Sequence, residues 1–362
     1  MYNDDHFMSI ALRLAKRGLG NVSPNPTVGC VIVQDDVIIS RGWTQAGGRP
    51  HAEVIALERA GNLAHNSTMY ITLEPCCHHG NTAPCTAAII ASGIKKVVVA
   101  TCDPDSRVSG KGIETLLKAG VEVKCNMMKK EAEELNAGFF CSKKLFRPFI
   151  TLKMAMSFDG KIATSTGESK WITNSLTRKW IHKVRAEHDA IMIGGNTLEI
   201  DDPMLDCRLP SLEEQSPMRI IIDGKARLKS EHQIAKTANK IKTVVITDHE
   251  PKERIKHIDY LIAYNYKTSL KEVMQELTTK FGITRLLVEG GGILFTELLK
   301  QKLADRIICC RAGKILGNEA LPAIGNLNIV DMSQCYALKK VESFNFSDDI
   351  IEIWNTKTTT FL

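Results

Sequence analysis

A histidine, a glutamate and two cysteines are the residues of this chain whose types and spacing can do chemistry. His51 and Glu53 lie close together, and Cys76 and Cys85 follow downstream. One imidazole and two thiolates can hold a zinc ion and leave its fourth position to water. A carboxylate next to that water can move protons to and from it. Such a set of groups would replace an amino group on a heteroaromatic ring with oxygen, which is a hydrolytic deamination.

The spacing of the cysteines leaves a second ligand set open. Eight residues separate Cys76 from Cys85, whereas the general deaminase signature has two. Cys77, His78 and His79 lie in that interval and are rival ligands. A closed knuckle of Cys76, Cys77 and His78 with Cys85 would leave the upstream histidine and glutamate without a role, so we assign the ligands as above.

A proline precedes each assigned cysteine, Pro75 in one case and Pro84 in the other. We therefore expect both thiolates at turns that lead into helices. The N–H groups and positive dipole end of a helix N-terminus favour a thiolate over a thiol.

The bulk composition describes a globular protein of about two domains. The 362 residues are 44% hydrophobic and 24% charged, and 47 basic against 41 acidic side chains give a net charge of +6. No basic block with interleaved aromatic residues indicates nucleic-acid binding. No run approaches the ~18 apolar residues that span a bilayer. The 11 cysteines are irregularly spaced, which favours a reducing, cytoplasmic location.

Periodicity in the first half predicts an α/β domain over residues 1–146. A hairpin comes first, and helices and strands then alternate. The predicted elements are helix Asp4–Gly18, strands Val28–Val33 and Val37–Ser40, helix His51–Ala60, strand Met69–Leu73, helix Thr86–Ala91, strand Lys96–Ala100, helix Ile113–Ala119, strand Val121–Cys125 and helix Lys129–Asn136.

The second half, residues 147–362, also predicts an α/β domain. A strand Phe149–Met156 opens it, and no period is clear over Lys225–Lys240. The remaining predicted elements are strands Ala190–Ile193, Arg219–Ile222, Thr243–Ile246, Arg285–Val288 and Arg306–Cys310, and helices Leu176–Arg185 and Leu270–Thr279.

Motifs in both halves resemble one known family, the bifunctional deaminase–reductases of riboflavin biosynthesis. The motifs that resemble the family's deaminase half are Asn25–Cys30, the His-Ala-Glu run and the widely spaced cysteines. The motifs that resemble the family's reductase half are Thr151–Ala163, Trp171–Thr173, Asp201–Pro203 and Val288–Gly292. The resemblance covers nearly the whole chain, with both motif sets in the family's order.

The resemblance implies two folds and two reactions. The first half would be a cytidine-deaminase-like three-layer α/β/α domain, and the second a dihydrofolate-reductase-like α/β domain. The first would use zinc to deaminate 2,5-diamino-6-ribosylamino-4(3H)-pyrimidinone 5′-phosphate. The second would use NADPH to reduce the ribosyl group of the product to ribityl. The implied partner is thus a small phosphorylated pyrimidine.

By resemblance, Asn25 and Asp103 would contact the pyrimidine. An amide side chain can both donate to and accept from the edge of a heterocycle. The alternative for Asn25 is a turn cap between Pro24 and Pro26.

Three positions depart from the family's pattern, and they concern the ribose phosphate. Thr44 stands where histidine is frequent, Asn81 where a cation is frequent, and Asp105 where asparagine is common. The residues that hold the phosphate in the deaminase half therefore stay open, with Arg49 and Arg107 as candidates.

Two strand-to-helix turns rich in glycine, at Gly194–Thr197 and Gly290–Gly292, could admit a phosphate close to the backbone. There is no Gly-x-Gly-x-x-Gly run, so a Rossmann site is not supported. The resemblance implies NADPH contacts at Ala155, Trp171, Thr197, Asp201, Gly291, Gly292, Ile293, Leu294, Phe295, Thr296 and Glu297. It implies substrate contacts at Ser169, Arg185, Leu205, Arg208 and Glu289.

The chemistry of the reductase residues fits these roles. Arg185 and Arg208 offer planar forks for a phosphate. Glu289 could orient ribose hydroxyls or stabilise positive charge, and Lys153 is a candidate proton donor. Taken singly, each of these side chains would be read as an ordinary structural residue.

Two other classes of function compete with this interpretation. A nucleic-acid base deaminase would need a basic or aromatic groove for a single strand, and the sequence has none. A zinc-stabilised scaffold would bind nucleotide without turnover. The sequence leaves self-association open.

Overall fold

The computed structural model describes residues 3–78, 83–264 and 269–356. Within these residues the chain forms two compact units, residues 3–146 and residues 147–356. Each unit has its own sheet and its own hydrophobic core, and both are α/β.

Unit 1 is built on a five-stranded sheet in the order β2-β1-β3-β4-β5. The pairs β2–β1 and β1–β3 are antiparallel, whereas β3–β4 and β4–β5 are parallel. Its strands are β1 Gly29–Gln34, β2 Val37–Trp43, β3 Thr68–Ile71, β4 Lys96–Val99 and β5 Glu122–Lys124. Its helices are α1 Asp4–Ala15, α2 Ala52–Ala60, α3 Cys85–Ala91, α4 Lys111–Lys118, α5 Lys129–Leu135 and α6 Ala137–Lys144.

Successive apolar side chains of these strands point to opposite faces of the sheet, and helices pack against both faces. On one face, Val31 and Val33 pack with α1 and α5. On the other, Cys30 and Ile32 pack with α2, α3, α4 and α6. Unit 1 is therefore the expected three-layer α/β/α domain.

A close approach between β2 and α2 sets the position of the candidate zinc site. A Cβ added at Gly42 in β2 would lie 2.2 Å from the carbonyl oxygen of Ala52. Only glycine permits this contact, which brings the first turn of α2 against the sheet. His51 is the N-cap of that helix, and Glu53 lies in its first turn.

Unit 2 is built on a nine-stranded sheet in the order β11-β10-β9-β8-β12-β6-β13-β16-β15, with β14 and β7 paired separately. The strands from β11 to β13 in this order are parallel, and β16 and β15 continue antiparallel. The strands are β6 Phe149–Met156, β7 Lys161–Ala163, β8 Ala190–Gly194, β9 Met218–Ile222, β10 Thr243–Thr247, β11 Ile258–Ile262, β12 Arg285–Glu289, β13 Arg306–Arg311, β14 Leu321–Pro322, β15 Leu338–Phe346 and β16 Asp349–Thr356.

Five helices cover the two faces of this sheet. They are α7 Ser175–Ala186, α8 Gly195–Asp201, α9 Gln233–Lys236, α10 Leu270–Phe281 and α11 Gly292–Lys300. Leu277 of α10 and Phe295 of α11 lie in the core on one face. Ile181 of α7, Leu198 of α8 and Ile234 of α9 lie in the core on the other.

The predicted elements are all present, with small shifts at their ends. The predicted first helix ends at Ala15 and continues as one 3₁₀ turn to Gly18. Helix α4 begins at Lys111, two residues before the predicted start. The sequence pattern does not predict α6, β7, β11, β14 and the β15–β16 hairpin. Helix α9 lies in the stretch for which no period was clear.

Candidate active site

The three assigned zinc ligands meet at one point of unit 1. His51 Nδ1 lies 3.2 Å from Cys85 Sγ and 3.7 Å from Cys76 Sγ. The three ligand atoms lie within 4.8 Å of one another. Bond lengths and tetrahedral angles at zinc place nitrogen and sulfur ligands about 3.5 Å apart. One nitrogen and two sulfurs at these separations fit zinc.

Different elements bring these ligands together. Cys85 is the first residue of α3, with Pro84 as its N-cap, as predicted. Cys76 lies in an irregular loop that follows β3, so the expected helix after it is not present over residues 77–78. Both cysteines instead lie at the N-terminus of α3. Cys85 is its first residue, and the backbone N–H of Cys85 donates to Cys76 Sγ at 3.3 Å.

The two cysteines interact with each other, and this shifts their pKa values in opposite directions. The side chain of Cys85 lowers the pKa of Cys76, and His51 adds to this shift. The same contact raises the pKa of Cys85. The hydrogen bond with Cys76 also raises the pKa of His51.

The rival ligands Cys77 and His78 are not part of this cluster. Over the described residues, the group that could hold a metal consists of the three assigned ligands. Cys77 Sγ instead faces the carbonyl of Arg107 at 4.0 Å. His79 lies outside the described residues.

Glu53 is buried beside the ligand cluster, with 3% of its surface exposed. Its pKa is raised, chiefly because burial disfavours the carboxylate, although the neighbouring His51 opposes the shift. A carboxyl whose pKa is pushed toward neutrality can both accept and deliver a proton.

Glu74 is a site residue that the sequence reading missed. Its carboxylate accepts four backbone N–H bonds, from Asp103 at 3.1 Å, Gly110 at 3.0 Å, Gly112 at 2.9 Å and Ile113 at 3.2 Å. Cys76, an assigned zinc ligand, lies two positions further along the chain. Glu74 thus fastens the loop that carries Asp103 to the loop that carries Cys76. No sequence signal marked this role, because the partners are backbone groups.

Asp103 and Asn25 lie in loops of unit 1. Asp103 is 8% exposed and accepts the backbone N–H of Asp105 at 2.8 Å. Burial raises the pKa of Asp103 to about 7, and the carboxylates of Asp105 and Glu74 add to the shift. The amide of Asn25 packs against Gly48, where an added Cβ would lie 2.0 Å from Nδ2.

The positions that depart from the family pattern differ in their surroundings. Thr44 is buried, and its hydroxyl accepts the backbone N–H of Val28 at 2.9 Å. Asp105 is bonded to Arg107 and to Lys143. Asn81 lies outside the described residues.

In unit 2 the two glycine turns lie side by side. Gly291 N donates to Thr197 Oγ1 at 3.3 Å. A Cβ added at Gly290 would lie 2.7 Å from the same hydroxyl. The turns follow the neighbouring strands β8 and β12, so they meet at one end of the sheet. Glycine backbone and two helix N-termini there fit the phosphates of a dinucleotide.

Glu289 is the centre of a buried ion cluster. Arg185 donates to its two oxygens at 2.7 and 3.0 Å, and Lys153 Nζ lies 3.7 Å from Oε2. Although burial opposes ionisation, Arg185 and Lys153 lower the pKa of Glu289 to about 2. The remaining edge of Arg185 donates to the carbonyl of Asp206 at 3.0 Å. The fork that was predicted for a phosphate is therefore used on Glu289.

The other predicted reductase residues differ in how exposed they are. Arg208 is more than half exposed and bonded to Asp206. Trp171 is 62% exposed and lies under the guanidinium of Arg178. Ser169 is half-buried, and Leu205 is buried in the core.

The predicted cofactor residues of α11 also include both buried and exposed positions. Leu294, Phe295 and Thr296 are buried, whereas Ile293 is 76% exposed. The other predicted positions are Ala155 on β6, Asp201 at the end of α8, Gly292 at the start of α11 and Glu297 within it.

Two family models match the chain, one in each unit. The zinc-binding region of cytidine and deoxycytidylate deaminases matches residues 1–101. The RibD C-terminal domain matches residues 148–351. The chain is therefore a zinc-dependent deaminase joined to a reductase.

The relatives identify the family more closely. Riboflavin biosynthesis protein RibD of Aquifex aeolicus is 43% identical over 96% of this chain and 97% of the relative. The Escherichia coli protein of the same name is 38% identical over 88% and 89%. The chain belongs to the RibD family of bifunctional deaminase–reductases of riboflavin biosynthesis, whose cofactors are zinc and NADPH.

Solved structures agree with this assignment. RibD of Acinetobacter baumannii superposes with a TM-score of 0.90 at 35% identity, over 98% of this chain and 99% of that one. A diaminohydroxyphosphoribosylaminopyrimidine deaminase/5-amino-6-(5-phosphoribosylamino)uracil reductase of Thermotoga maritima gives 0.89 at 35% identity, over 98% of each chain. The predicted folds of both units are confirmed. Among the described residues no helix has the length and apolarity to cross a bilayer.

Proposed function

We propose that Glu53 is the proton-transfer residue of the deaminase unit and that His51, Cys76 and Cys85 hold its zinc ion. When bound, zinc supplies the Lewis acidity that makes water a nucleophile near neutral pH. Glu53 takes a proton from the water and delivers protons to the ring nitrogen and the departing amine. The observation that carries this proposal is the burial of Glu53 beside three converging ligand atoms.

The proposed substrate is 2,5-diamino-6-ribosylamino-4(3H)-pyrimidinone 5′-phosphate. Asn25 and Asp103 are the groups we assign to the edge of its ring. The near-neutral pKa of Asp103 suits a carboxyl that can donate or accept at a heterocycle.

For the reductase unit we assign the deaminated pyrimidine as substrate and the Glu289 cluster as its binding site. NADPH, when bound, supplies a hydride, and the two glycine turns with Thr197 would hold it. Addition of that hydride to C1′ of the ribosyl group would break the bond from C1′ to the ribose ring oxygen, and this oxygen would then need a proton. We assign Lys153, whose Nζ lies 3.7 Å from Glu289 Oε2, as the donor of that proton. Glu289, which is paired with Arg185, would stabilise positive charge near C1′.

The proposed partners are small molecules, and the proposed location is the cytoplasm. None of the 11 cysteines, all of which lie among the described residues, is paired in a disulfide, which suits a reducing compartment.

The deaminase assignment is tested by Glu53→Gln in the full chain. Ammonia release from the diaminopyrimidine phosphate should fall at least about 10²-fold, while zinc content stays at one ion per chain. NADPH oxidation with deaminated substrate should be unchanged and serves as the control for folding. Ammonia release at the wild-type rate would contradict the role of Glu53.

A further inference from the structure

Two cations meet on one carboxylate next to Asp103. Asp105 accepts bonds from Nε and Nη2 of Arg107 at 2.9 and 2.7 Å, and Lys143 Nζ lies 3.0 Å from Oδ2. The carboxylate of Asp105 is buried beneath the two cations. Its side chain is 10% exposed, whereas that of Arg107 is 65% exposed and that of Lys143 is 33% exposed. The arrangement holds two cations at the surface of the protein and fixes their direction.

This cluster is attached directly to the proposed ring contact. The backbone N–H of Asp105 donates to Asp103 Oδ1 at 2.8 Å, and the charge of Lys143 acts on Asp103 as well. On the other side, the carbonyl of Arg107 faces Cys77, the neighbour of a zinc ligand. A ring held by Asp103 would therefore lie beside the loop that carries Asp105 and Arg107.

The cluster keeps donors and charge in excess. A guanidinium has five N–H groups and an ammonium has three. Over the described residues, the guanidinium of Arg107 gives two of its N–H groups to Asp105, and Lys143 gives one. Two cations against one carboxylate leave a net positive charge. The buried carboxylate of Asp105 needs a charge partner, but one cation would be enough to pair it, so the carboxylate alone does not account for the second cation.

We propose that Arg107 and Lys143, positioned by Asp105, bind the 5′-phosphate of the pyrimidine in the deaminase unit. The proposal rests on the proposed function of Glu53 and the zinc ligands. It assigns the ligand class as a phosphate monoester dianion, for which a guanidinium fork and an ammonium are complementary.

The test compares two substrates in full-length variants loaded with zinc. Arg107→Ala and Lys143→Ala are assayed for ammonia release with the pyrimidine nucleotide and with the same compound after removal of its phosphate. Each variant should raise KM for the nucleotide about tenfold, the effect of one charge-assisted hydrogen bond, with kcat within about twofold. KM for the dephosphorylated compound should not change. Lys118→Ala, an exposed lysine on α4 of the same unit, is the matched control and should change neither.

Inorganic phosphate provides a second measurement. It should inhibit the wild-type deaminase competitively, and its inhibition constant should rise in both variants. Equal changes of KM for the two substrates, or unchanged KM and phosphate inhibition with full zinc content, would overturn the proposal. No ammonia from either substrate with the wild-type protein would instead contradict the proposed deaminase function.

Discussion

The carboxyl of Asp103 has a raised pKa, which should make the stability of the fold depend on pH near neutrality. Replacing this carboxyl by an amide should remove that dependence. The pKa of Asp103 in the fold is about 7, above the ordinary 3.8, so the folded state holds the proton more tightly than the unfolded state. The contribution is fully present below about pH 4 and is lost as the pH rises through 7. Between pH 6 and pH 8 the wild type should lose about 1 kcal/mol more stability than Asp103→Asn.

Urea unfolding of both proteins at the two pH values measures this difference. Asparagine keeps the acceptor for the N–H of Asp105, so the contact survives while the titration is removed. Parallel pH profiles of the two proteins would contradict the raised pKa.

Some residues of the candidate sites can be predicted from the sequence, and others cannot. The zinc ligands and Glu53 were assigned from residue type and spacing, and the three ligands do meet. Glu74 could not be found this way, because it binds backbone N–H groups across 29 to 39 residues of chain. The pairing of Arg185 with Glu289 was also missed, since 104 residues separate them. A charge pattern in sequence does not say which cation reaches which carboxylate.

At the scale of elements, Glu74 joins the start of α4 to the loop that carries a zinc ligand. Glu74→Ala removes the acceptor of four N–H groups, of which those of Asp103 and Gly112 are buried. Unit 1 should lose about 2–4 kcal/mol of stability, and zinc should dissociate faster because the loop of Cys76 loses its anchor. Zinc release to a chromogenic chelator and thermal unfolding measure the two effects.

Glu58→Ala is the matched control, because Glu58 is an exposed glutamate of α2 in the same unit. NADPH oxidation by the Glu74 variant should stay at the wild-type level. Unchanged rates of zinc release would show that Glu74 does not position the zinc loop.

The stretch Lys225–Lys240 has no clear period because a buried arginine organises it. Arg219 at the start of β9 is 0% exposed. It donates to Thr237 Oγ1 at 2.6 Å and to the carbonyls of Ile234 and Ile241 at 3.0 and 3.1 Å. Polar anchoring of this kind replaces an apolar stripe, so hydrophobic periodicity could not reveal α9.

Arg219→Met should therefore destabilise unit 2 by about 3 kcal/mol, because several buried acceptors lose their donor. Thermal unfolding followed by loss of NADPH oxidation measures this effect. Hydrogen exchange should increase first in residues 234–241, where the acceptors lie. Deamination by the same variant, below the unfolding temperature of unit 2, is the internal control. Wild-type stability would mean that the arginine is replaceable by an apolar side chain of similar length.

At the scale of the whole molecule, the sheet strands of each unit pair only with strands of the same unit over the described residues. Each unit also has separate core clusters. Each proposed catalytic set lies within one unit, so inactivation of one site leaves the residues of the other in place. The two reactions should then be separable by mutation, and the deaminated product should be able to pass between molecules through solution.

A mixture of Glu53→Gln and Glu289→Gln proteins tests this separation. Neither variant alone should oxidise NADPH when it is given the diaminopyrimidine phosphate, because the first makes no deaminated product and the second cannot reduce it. The equimolar mixture should release ammonia and then oxidise NADPH after a lag that shortens as total protein rises, since free intermediate must accumulate. Ammonia electrode and absorbance readings on one sample follow both steps, and the wild type at the same concentration is the control. Ammonia release without NADPH oxidation in the mixture would show that the intermediate does not leave the molecule that made it.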